Sequence, residues 1–327
     1  MKNIIILGIL VITIGCSNPQ QKAAVLTQTR TIDLPDVDGR IDHMSIDLNL
    51  NRLFVAALGN NTVEVVDLDS ARVIKRITGL NKPQGVLFYL KKNFLFVTSG
   101  GDGTCKIYDA NSFKLIKILR LGEDADNIRL DEARDIVFTG YGSGGIAAID
   151  PRELKVLFKI DLPGHPESFQ IDESSNRIFV NVPDAHQLDI IDLNKRKITD
   201  KMNLQVKSNF PMALDTVDLV VLTASRNPAK LLQCDAESLK LLSENDLSGD
   251  ADDIFYYAKD SLVFISCGSG TIDVFKKKNS KEIIAKEIIN TFPGARTSLL
   301  VPALKKYFLA VRKSGTHNAR IIEYNIL

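Results

Sequence analysis

Ile178-Phe179-Val180-Asn181 is one copy of a four-residue segment, apolar until its last position, that recurs about every 42 residues. The six other copies are Leu53-Phe54-Val55-Ala56, Leu95-Phe96-Val97-Thr98, Ile136-Val137-Phe138-Thr139, Val220-Val221-Leu222-Thr223, Val263-Phe264-Ile265-Ser266 and Phe308-Leu309-Ala310-Val311. Each copy is followed by an alternating strand that usually closes on aspartate, as at Asp67 and Asp192, where the carboxylate can accept a backbone N–H of the next turn. Short strands without helical periodicity exclude an α/β design.

Each repeat has room for four strands, because one opens the unit and another follows the aspartate turn, as at residues 154–162. A four-stranded unit of this length, repeated radially, is a propeller blade. The sequence therefore predicts an all-β, seven-bladed β-propeller. The last unit ends after its third strand, and Thr31-Ile32-Asp33-Leu34-Pro35 copies the outer-strand sequence Lys159-Ile160-Asp161-Leu162-Pro163. Residues 25–34 are thus predicted to pair with residues 320–326 and close the ring.

The N-terminal residues predict export. Lys2 precedes an apolar run at residues 4–14, which is too short to span a bilayer and is typical of a signal-peptide core. Gly15-Cys16 resembles the lipobox of bacterial lipoproteins, although Thr13 stands where leucine is usual. We expect a signal peptide at 1–15, a tether lipidated on Cys16 at 16–24, and one propeller domain at 25–327. Ordinary cleavage nearby, or retention of the segment as an anchor, are the alternatives. The expected location is the bacterial envelope, periplasmic or outer-membrane associated.

The chain contains no tryptophan, so the Trp-Asp signature of WD40 propellers is absent. The tetrapeptides instead resemble the Tyr-Val-Thr-Asn (YVTN) repeat propellers, and the chain from about residue 25 resembles their YncE-like branch. The resemblance covers all seven units and implies a fold and an exported location. It implies little about activity, because the roles of that family are mostly unassigned.

Net charge gives no general reason to expect nucleic acid as a partner. Without residues 1–15, which contain one cation, Lys2, the chain has 40 basic and 40 acidic residues. Contact with a membrane is expected only through the lipid anchor, and the oligomeric state is not indicated. Lys276-Lys277-Lys278 is interpreted as a solvated hairpin turn.

A polar ring is predicted at one mouth of the central channel, where the strands that open the blades begin. Alignment on His165-Pro166-Glu167 gives the ring members Asp42, Gln84, Asp126, Glu167, Met212, Asp252 and Thr297. Crowded carboxylates must raise their pKa values, take up water or bind a cation. Asp42, Asp126, Glu167 and Asp252 are therefore candidate ligands of a divalent cation such as Ca²⁺, Mg²⁺ or Mn²⁺. A solvated acidic mouth without a specific ligand is the alternative.

Further polar residues are expected at the same mouth. The candidate ligand-binding residues are Arg40, Gln84, Asn127, Asp253, Arg296, Arg226 and Tyr141. Arg226 and Arg296 either hold a carboxylate or phosphate, or form salt bridges with neighbouring acids. His43 and His165 are candidate general bases.

Three functions fit this pattern. The first is an anchored propeller that binds a small molecule, cation or peptide at the mouth. The second is a metal-dependent lactonase- or lyase-type enzyme at the same mouth. The third is a scaffold that docks another envelope protein. No nucleophile elbow, phosphate loop or zinc-protease helix is present in the sequence.

Overall fold

The computed structural model describes residues 24–327, which form seven four-stranded antiparallel sheets. Each sheet is one blade, with strands a to d counted from the channel outward. The predicted seven-bladed β-propeller is therefore confirmed.

Strands are assigned to the four positions as follows. Strands a are β2 Met44–Asp47, β6 Pro83–Tyr89, β10 Ile128–Asp131, β14 Phe169–Asp172, β18 Lys207–Asp215, β22 Ala251–Tyr257 and β26 Thr297–Val301. Strands b are β3 Arg52–Ala57, β7 Phe94–Ser99, β11 Ile136–Tyr141, β15 Arg177–Val182, β19 Val220–Asn227, β23 Leu262–Cys267 and β27 Lys306–Val311. Strands c are β4 Thr62–Asp67, β8 Thr104–Asp109, β12 Gly145–Asp150, β16 Gln187–Asp192, β20 Ala229–Asp235, β24 Thr271–Asn279 and β28 Ala319–Ile326.

The outer positions complete the blades. Strands d are β5 Arg72–Ile77, β9 Leu115–Arg120, β13 Lys155–Asp161, β17 Lys197–Asn203, β21 Leu241–Asp246, β25 Glu282–Asn290 and, in blade seven, β1 Leu26–Leu34. Single 3₁₀ turns occur at Leu58–Asn60, Leu90–Lys92, Pro183–Ala185, Ala258–Asp260 and Pro302–Leu304. Among residues 24–327, no helix is long and apolar enough to cross a membrane.

The core lies between neighbouring blades. Strands b and c are buried on both faces, whereas strands d alternate, as in the exposed-buried pattern of Lys155–Asp161. Phe138 and Ile146 of blade three, for example, pack in one cluster with Phe169 and Ile178 of blade four. Because each apolar face is covered only by the next blade, the ring must close to bury all of them.

The aspartates that close strands c act as predicted. Oδ1 of Asp192 accepts the backbone N–H of Asn194 at 2.9 Å, and Asp67 accepts that of Ser70 at 2.6 Å. These residues are therefore explained by the turns that follow them, without any role in binding.

Ring closure by the N-terminal strand is also confirmed. β1 pairs with β28 from Leu26 opposite Ile326 to Leu34 opposite Ala319. The predicted signal peptide, Cys16 and residues 17–23 of the tether lie outside the described residues.

The interpretation of Lys276-Lys277-Lys278 as a solvated turn is wrong. These residues lie within β24, and Lys277 is only 4% exposed. Its Nζ is 2.6 Å from Oδ2 of Asp215 and also contacts Asp218, so this lysine joins blade six to blade five.

Candidate binding site at the channel mouth

Residues of all seven strands a line one central cavity of about 350 Å³. Strands a are thus the innermost strands, and the residues just before them surround one mouth of the channel. A funnel of about 710 Å³ lies outside this mouth, lined by Arg40, Lys82, Gln84, Glu123, Asp124 and His165 among others. The mouth is therefore the place where polar side chains from different blades meet.

Strand register identifies the ring more accurately than sequence alignment did. The backbone N–H groups of Asp42, Asp126 and Glu167 donate to equivalent carbonyls of strands b, at 2.7, 3.0 and 3.0 Å. Strands a and b end in equivalent pairs, among them Asp172 with Arg177, Asp215 with Val220 and Val301 with Lys306. Counting back equally from these pairs gives the ring Asp42, Gln84, Asp126, Glu167, Phe210, Asp252 and Arg296.

Two of the predicted ring members are therefore wrong. Met212 and Thr297 lie one or two residues further along their strands, and Phe210 and Arg296 take their places. The strand-a register shifts between Asn209 and Met212 in blade five, but the same shift occurs in blades two and six, where Gln84 and Asp252 were predicted correctly. The misalignment arises because no sequence signature fixes the start of strand a in blades five and seven, so only the pairing with strand b identifies the ring residue.

The two candidate histidines lie against the acids of the ring. His43 Nε2 is 3.8 Å from Asp42 and 3.9 Å from Asp126, and His43 Nδ1 is 3.8 Å from Asp253. His165 Nε2 is 4.0 Å from Asp126, while its Nδ1 lies 2.6 Å from the carbonyl oxygen of Gly142. Asp126 thus stands between two imidazoles.

The arginines of the mouth are engaged by carboxylates. Arg40 lies 2.8 Å from Asp42. Arg226 and Arg296 both contact Asp250 and Asp252, with Arg296 Nη1 2.7 Å from Asp250 and Arg296 Nε 3.1 Å from Asp252. Arg226 and Arg296 therefore form salt bridges with neighbouring acids, and neither guanidinium is free to take an anion.

Burial shifts the titration of the remaining acids. Loss of solvation, reinforced by Asp126, raises the pKa of Asp42 and of Glu167 to about 8. Burial likewise raises the pKa of Asp253 to about 6. Burial alone would lower the pKa of His165, but its contact with Asp126 brings that pKa to about 9. At neutral pH the ring therefore holds protonated Asp42 and Glu167 beside an Asp126–His165 ion pair.

Three buried oxygens at the ring have no hydrogen-bond donor within residues 24–327. They are Oδ1 of Asp126, Oδ1 of Asn127 and Oδ2 of Asp42, of which the last lies 2.8 Å from the Arg40 guanidinium. Asp126 and Asn127 are 6% and 4% exposed and line a cavity of about 20 Å³ together with Asp42, His43 and Glu167. Buried acceptors without donors are costly, so the cavity is suited to a group that brings hydrogen-bond donors.

The acids of the mouth are not grouped as metal ligands in this structure. In the part of the chain from residue 24 onward, no three His, Cys, Asp or Glu side chains are grouped so that they could hold a metal ion. Asp252 faces Arg226 and Arg296, which already neutralise its charge, and Asp42 holds a proton near neutral pH. The four predicted ligands do share one mouth, and a divalent cation there stays a prediction.

Comparison with known proteins identifies the family. The family model described as YncE-like beta-propeller matches residues 31–219, more than half of the chain. The chain belongs to the YncE-like β-propeller family. No curated protein sequence matches it.

Solved structures match this YncE-like propeller in fold only. A chain in the "Crystal Structure of Mitotic Checkpoint Complex" has a TM-score of 0.79 at 14% identity, covering 99% of this chain and 100% of that one. A chain of the Kuenenia stuttgartiensis hydrazine synthase has a TM-score of 0.76 at 12% identity, covering 89% and 98% respectively. Such low identities carry no information about ligands.

Gln84 and Tyr141 are the remaining candidate ligand-binding residues of the YncE-like propeller, and they differ in position. Gln84 lines the funnel, but Tyr141 lines neither the funnel, the inner cavity nor the channel cavity. Its ring packs on Gly122 and Gly145, where an added Cβ would lie 2.8 and 2.5 Å from ring atoms, and Lys159 Nζ lies 4.6 Å from the ring centre. Packing therefore explains Tyr141, and its role as a ligand-binding residue stays a prediction.

Sequence reasoning missed Phe210. Its ring lies 4.2 Å from the Arg226 guanidinium and borders the acidic cavity. The pair Phe210-Pro211 at the start of a blade was the available signal, because an aromatic residue before proline is unusual among the seven blade openings.

Proposed function

We propose that this YncE-like propeller binds a primary ammonium group, carried by a small molecule or a peptide, at the acidic mouth of its channel. The observation that carries the proposal is the pair of unpartnered buried oxygens on Asp126 and Asn127. An ammonium group has three N–H donors and no acceptor, so it supplies what both oxygens lack.

The size of the inner cavity supports the same ligand. About 20 Å³ accommodates one group the size of water, which is also the size of an ammonium head. The funnel outside is large enough for the rest of a small molecule or for several peptide residues. The inner cavity therefore accommodates the ammonium group, and the funnel accommodates the rest of the ligand.

Because two acids of the ring are protonated, binding of a cation there is coupled to the release of protons. Asp42 and Glu167 hold protons near neutral pH because they are buried beside Asp126. An added cation favours their ionised forms, so binding should release protons. Proton release on binding distinguishes this site from a merely acidic surface.

The test is calorimetric titration with butylammonium, repeated in two buffers of different ionisation enthalpy. Tetramethylammonium is the matched control, because it has the charge without N–H donors and exceeds the inner cavity. We expect butylammonium to bind with proton release and tetramethylammonium to bind at least about tenfold more weakly.

Two variants localise the binding. Asp126→Asn should weaken butylammonium binding about tenfold or more, because it removes the charge next to the ligand. Glu123→Gln removes one exposed carboxylate of the funnel and should change the affinity little. Equal losses in both variants would indicate diffuse attraction and contradict the proposal.

A metal site, an enzyme and a scaffold each predict a different experimental result. Tight binding of Ca²⁺, Mg²⁺ or Mn²⁺ in place of butylammonium would favour a metal site. Turnover of a lactone or glycoside panel that is lost in His165→Asn would favour an enzyme. Retention of a protein partner by Asp126→Asn would favour a scaffold.

We also propose that the protein is anchored in the bacterial envelope through Cys16. The support is the sequence alone: a short apolar run at residues 4–14 followed by Gly15-Cys16. Cys16→Ser should release the protein from the membrane fraction, because one residue carries the lipid. Continued membrane association of this variant would indicate that residues 4–14 are retained as an anchor.

A further inference from the structure

We propose that the interior of the channel is a second binding site, which holds the carboxylate of a small organic acid through Arg129. This site lies below the acidic ring and does not depend on the function proposed for the mouth.

Arg129 occupies an unusual position in the ring of strands a. In every blade one strand-a residue pairs with a large apolar residue of strand b, from Ser45 with Phe54 to Leu299 with Phe308. Across the seven blades the residues at this position are Ser45, Leu87, Arg129, Gln170, Ala213, Phe255 and Leu299. Only blade three places a charge there.

The guanidinium of Arg129 lacks a counterion. Within residues 24–327 no carboxylate oxygen is within 4.0 Å of it, and Nη1 donates to the carbonyl of the preceding residue, Ile128, at 2.9 Å. Burial in the channel lowers the pKa of Arg129, with only partial compensation from Asp253 and Asp126. Interior arginines are normally paired, so an unpaired one facing a cavity indicates space for an anion.

The cavity around Arg129 combines polar donors with apolar walls. Ser45, Ser168 and Gln170 line it beside Arg129. Ser45 Oγ accepts the N–H of Phe88, which leaves its hydroxyl hydrogen available, and Gln170 Nε2 donates one N–H to the carbonyl of Met212 at 2.8 Å. Leu87 and Phe255 are among the apolar wall residues. A volume of about 350 Å³ lies at the lower end of the range for ligand pockets. One fork-shaped cation in a mainly apolar chamber matches a monocarboxylate with a short hydrocarbon body.

The acids near the cavity do not take the place of this anion. Asp253 also lines the cavity, but its Oδ2 accepts the N–H of Ser298 at 2.7 Å and its Oδ1 faces His43 at 3.8 Å. His43 stands between Asp253 and the ring acids Asp42 and Asp126. The imidazole and its acids therefore separate the mouth from the chamber of Arg129.

The test measures binding of sodium benzoate to the full chain by calorimetry, with sodium chloride at the same ionic strength as the reference. Arg129→Gln should weaken benzoate binding about tenfold or more, because a charge-assisted bidentate contact is lost. Arg129→Lys keeps the charge without the fork and should give an intermediate affinity. Thermal melts of each variant verify that the propeller is folded.

Arg320→Gln is the matched control. Like Arg129, which lies 5.9 Å from the ring centre of Phe169, Arg320 lies over a phenylalanine ring, that of Phe292, and donates to a nearby backbone carbonyl, that of Asn318 at 3.2 Å. It does not line the channel cavity, so benzoate affinity should not change.

Three results would overturn the proposal. They are unchanged benzoate affinity in folded Arg129→Gln, an equal loss in Arg320→Gln, and binding of inorganic phosphate without binding of benzoate. Loss of butylammonium binding in Asp126→Asn with benzoate binding intact would keep the two sites distinct.

Discussion

Deletion of residues 17–34 is expected to unfold the protein, whereas deletion of residues 17–24 should leave the melting temperature nearly unchanged. The longer deletion removes β1 and exposes the edge of β28, which β1 covers along its whole length. It also removes four buried apolar side chains, Val25, Leu26, Ile32 and Leu34, the last two fully buried.

The magnitude follows from that burial. Each buried aliphatic side chain contributes about 1.5–3 kcal/mol, so the four together contribute about 6–12 kcal/mol. That is comparable to the whole free energy of unfolding of an ordinary domain, about 5–15 kcal/mol. Val25 and Leu26 pack in one core cluster and Ile32 and Leu34 in another, so two interfaces between blades are lost.

Thermal denaturation followed by circular dichroism, together with light scattering, distinguishes the two truncations. The shorter deletion is the control, because it spares the bond from the Val25 N–H to Glu287 at 2.9 Å. Equal melting temperatures for both truncations would mean that β1 contributes little to closure.

Stability is expected to fall as the pH rises from about 5 to about 9. Asp42 and Glu167 have folded-state pKa values raised to about 8 by burial. Between their unfolded and folded pKa values the native state binds more protons than the unfolded state, so raising the pH favours unfolding. The stabilising contribution is complete below pH 4 and is lost as the pH passes through about 8.

His165 acts in the same direction. Its folded pKa of about 9 lies above the ordinary value of 6.5, so its contribution is complete below that value and is lost as the pH rises through about 9. The pKa of Asp126 is lowered, so its contribution to stability is lost only as the pH falls into the acid range. Together the three groups with raised pKa values lower the free energy of unfolding by several kcal/mol across this interval, at about 1.4 kcal/mol per pKa unit.

The double variant Asp42→Asn, Glu167→Gln should flatten this dependence and be the more stable protein at high pH, because neither amide can ionise. Urea unfolding at several pH values between about 5 and about 9 gives the slope. Glu123→Gln is the control and should keep the native slope, because Glu123 is exposed. A double variant that keeps the native slope would show that these carboxyls do not control stability.

The fold could be predicted because every blade repeats it. The apolar tetrapeptide and the turn aspartate recur in phase, and the closing strand copies an outer strand, so strand order follows from self-similarity. Most of the acidic ring could also be predicted, because Asp42, Asp126, Glu167 and Asp252 place a carboxylate at the equivalent position of four repeats.

Other features depend on contacts that no repeat specifies. Phe210 and Arg296 stand in the ring two residues and one residue before the positions that the sequence alignment indicated, and only the strand pairing shows this. Lys277 pairs with Asp215 in the next blade, far away in sequence. Arg129 differs from its counterparts only when strand register shows which residues share a level of the channel.

The pairing of β1 with β28 also sets an order of events during synthesis. Six blades are built from consecutive strands, so each can form soon after its own residues leave the ribosome. β1 is made first, yet its partner Ala319–Ile326 is made last. The contact between the first and last strands therefore forms only after translation of the described chain is complete, and any chain that stalls before residue 319 leaves blade seven open.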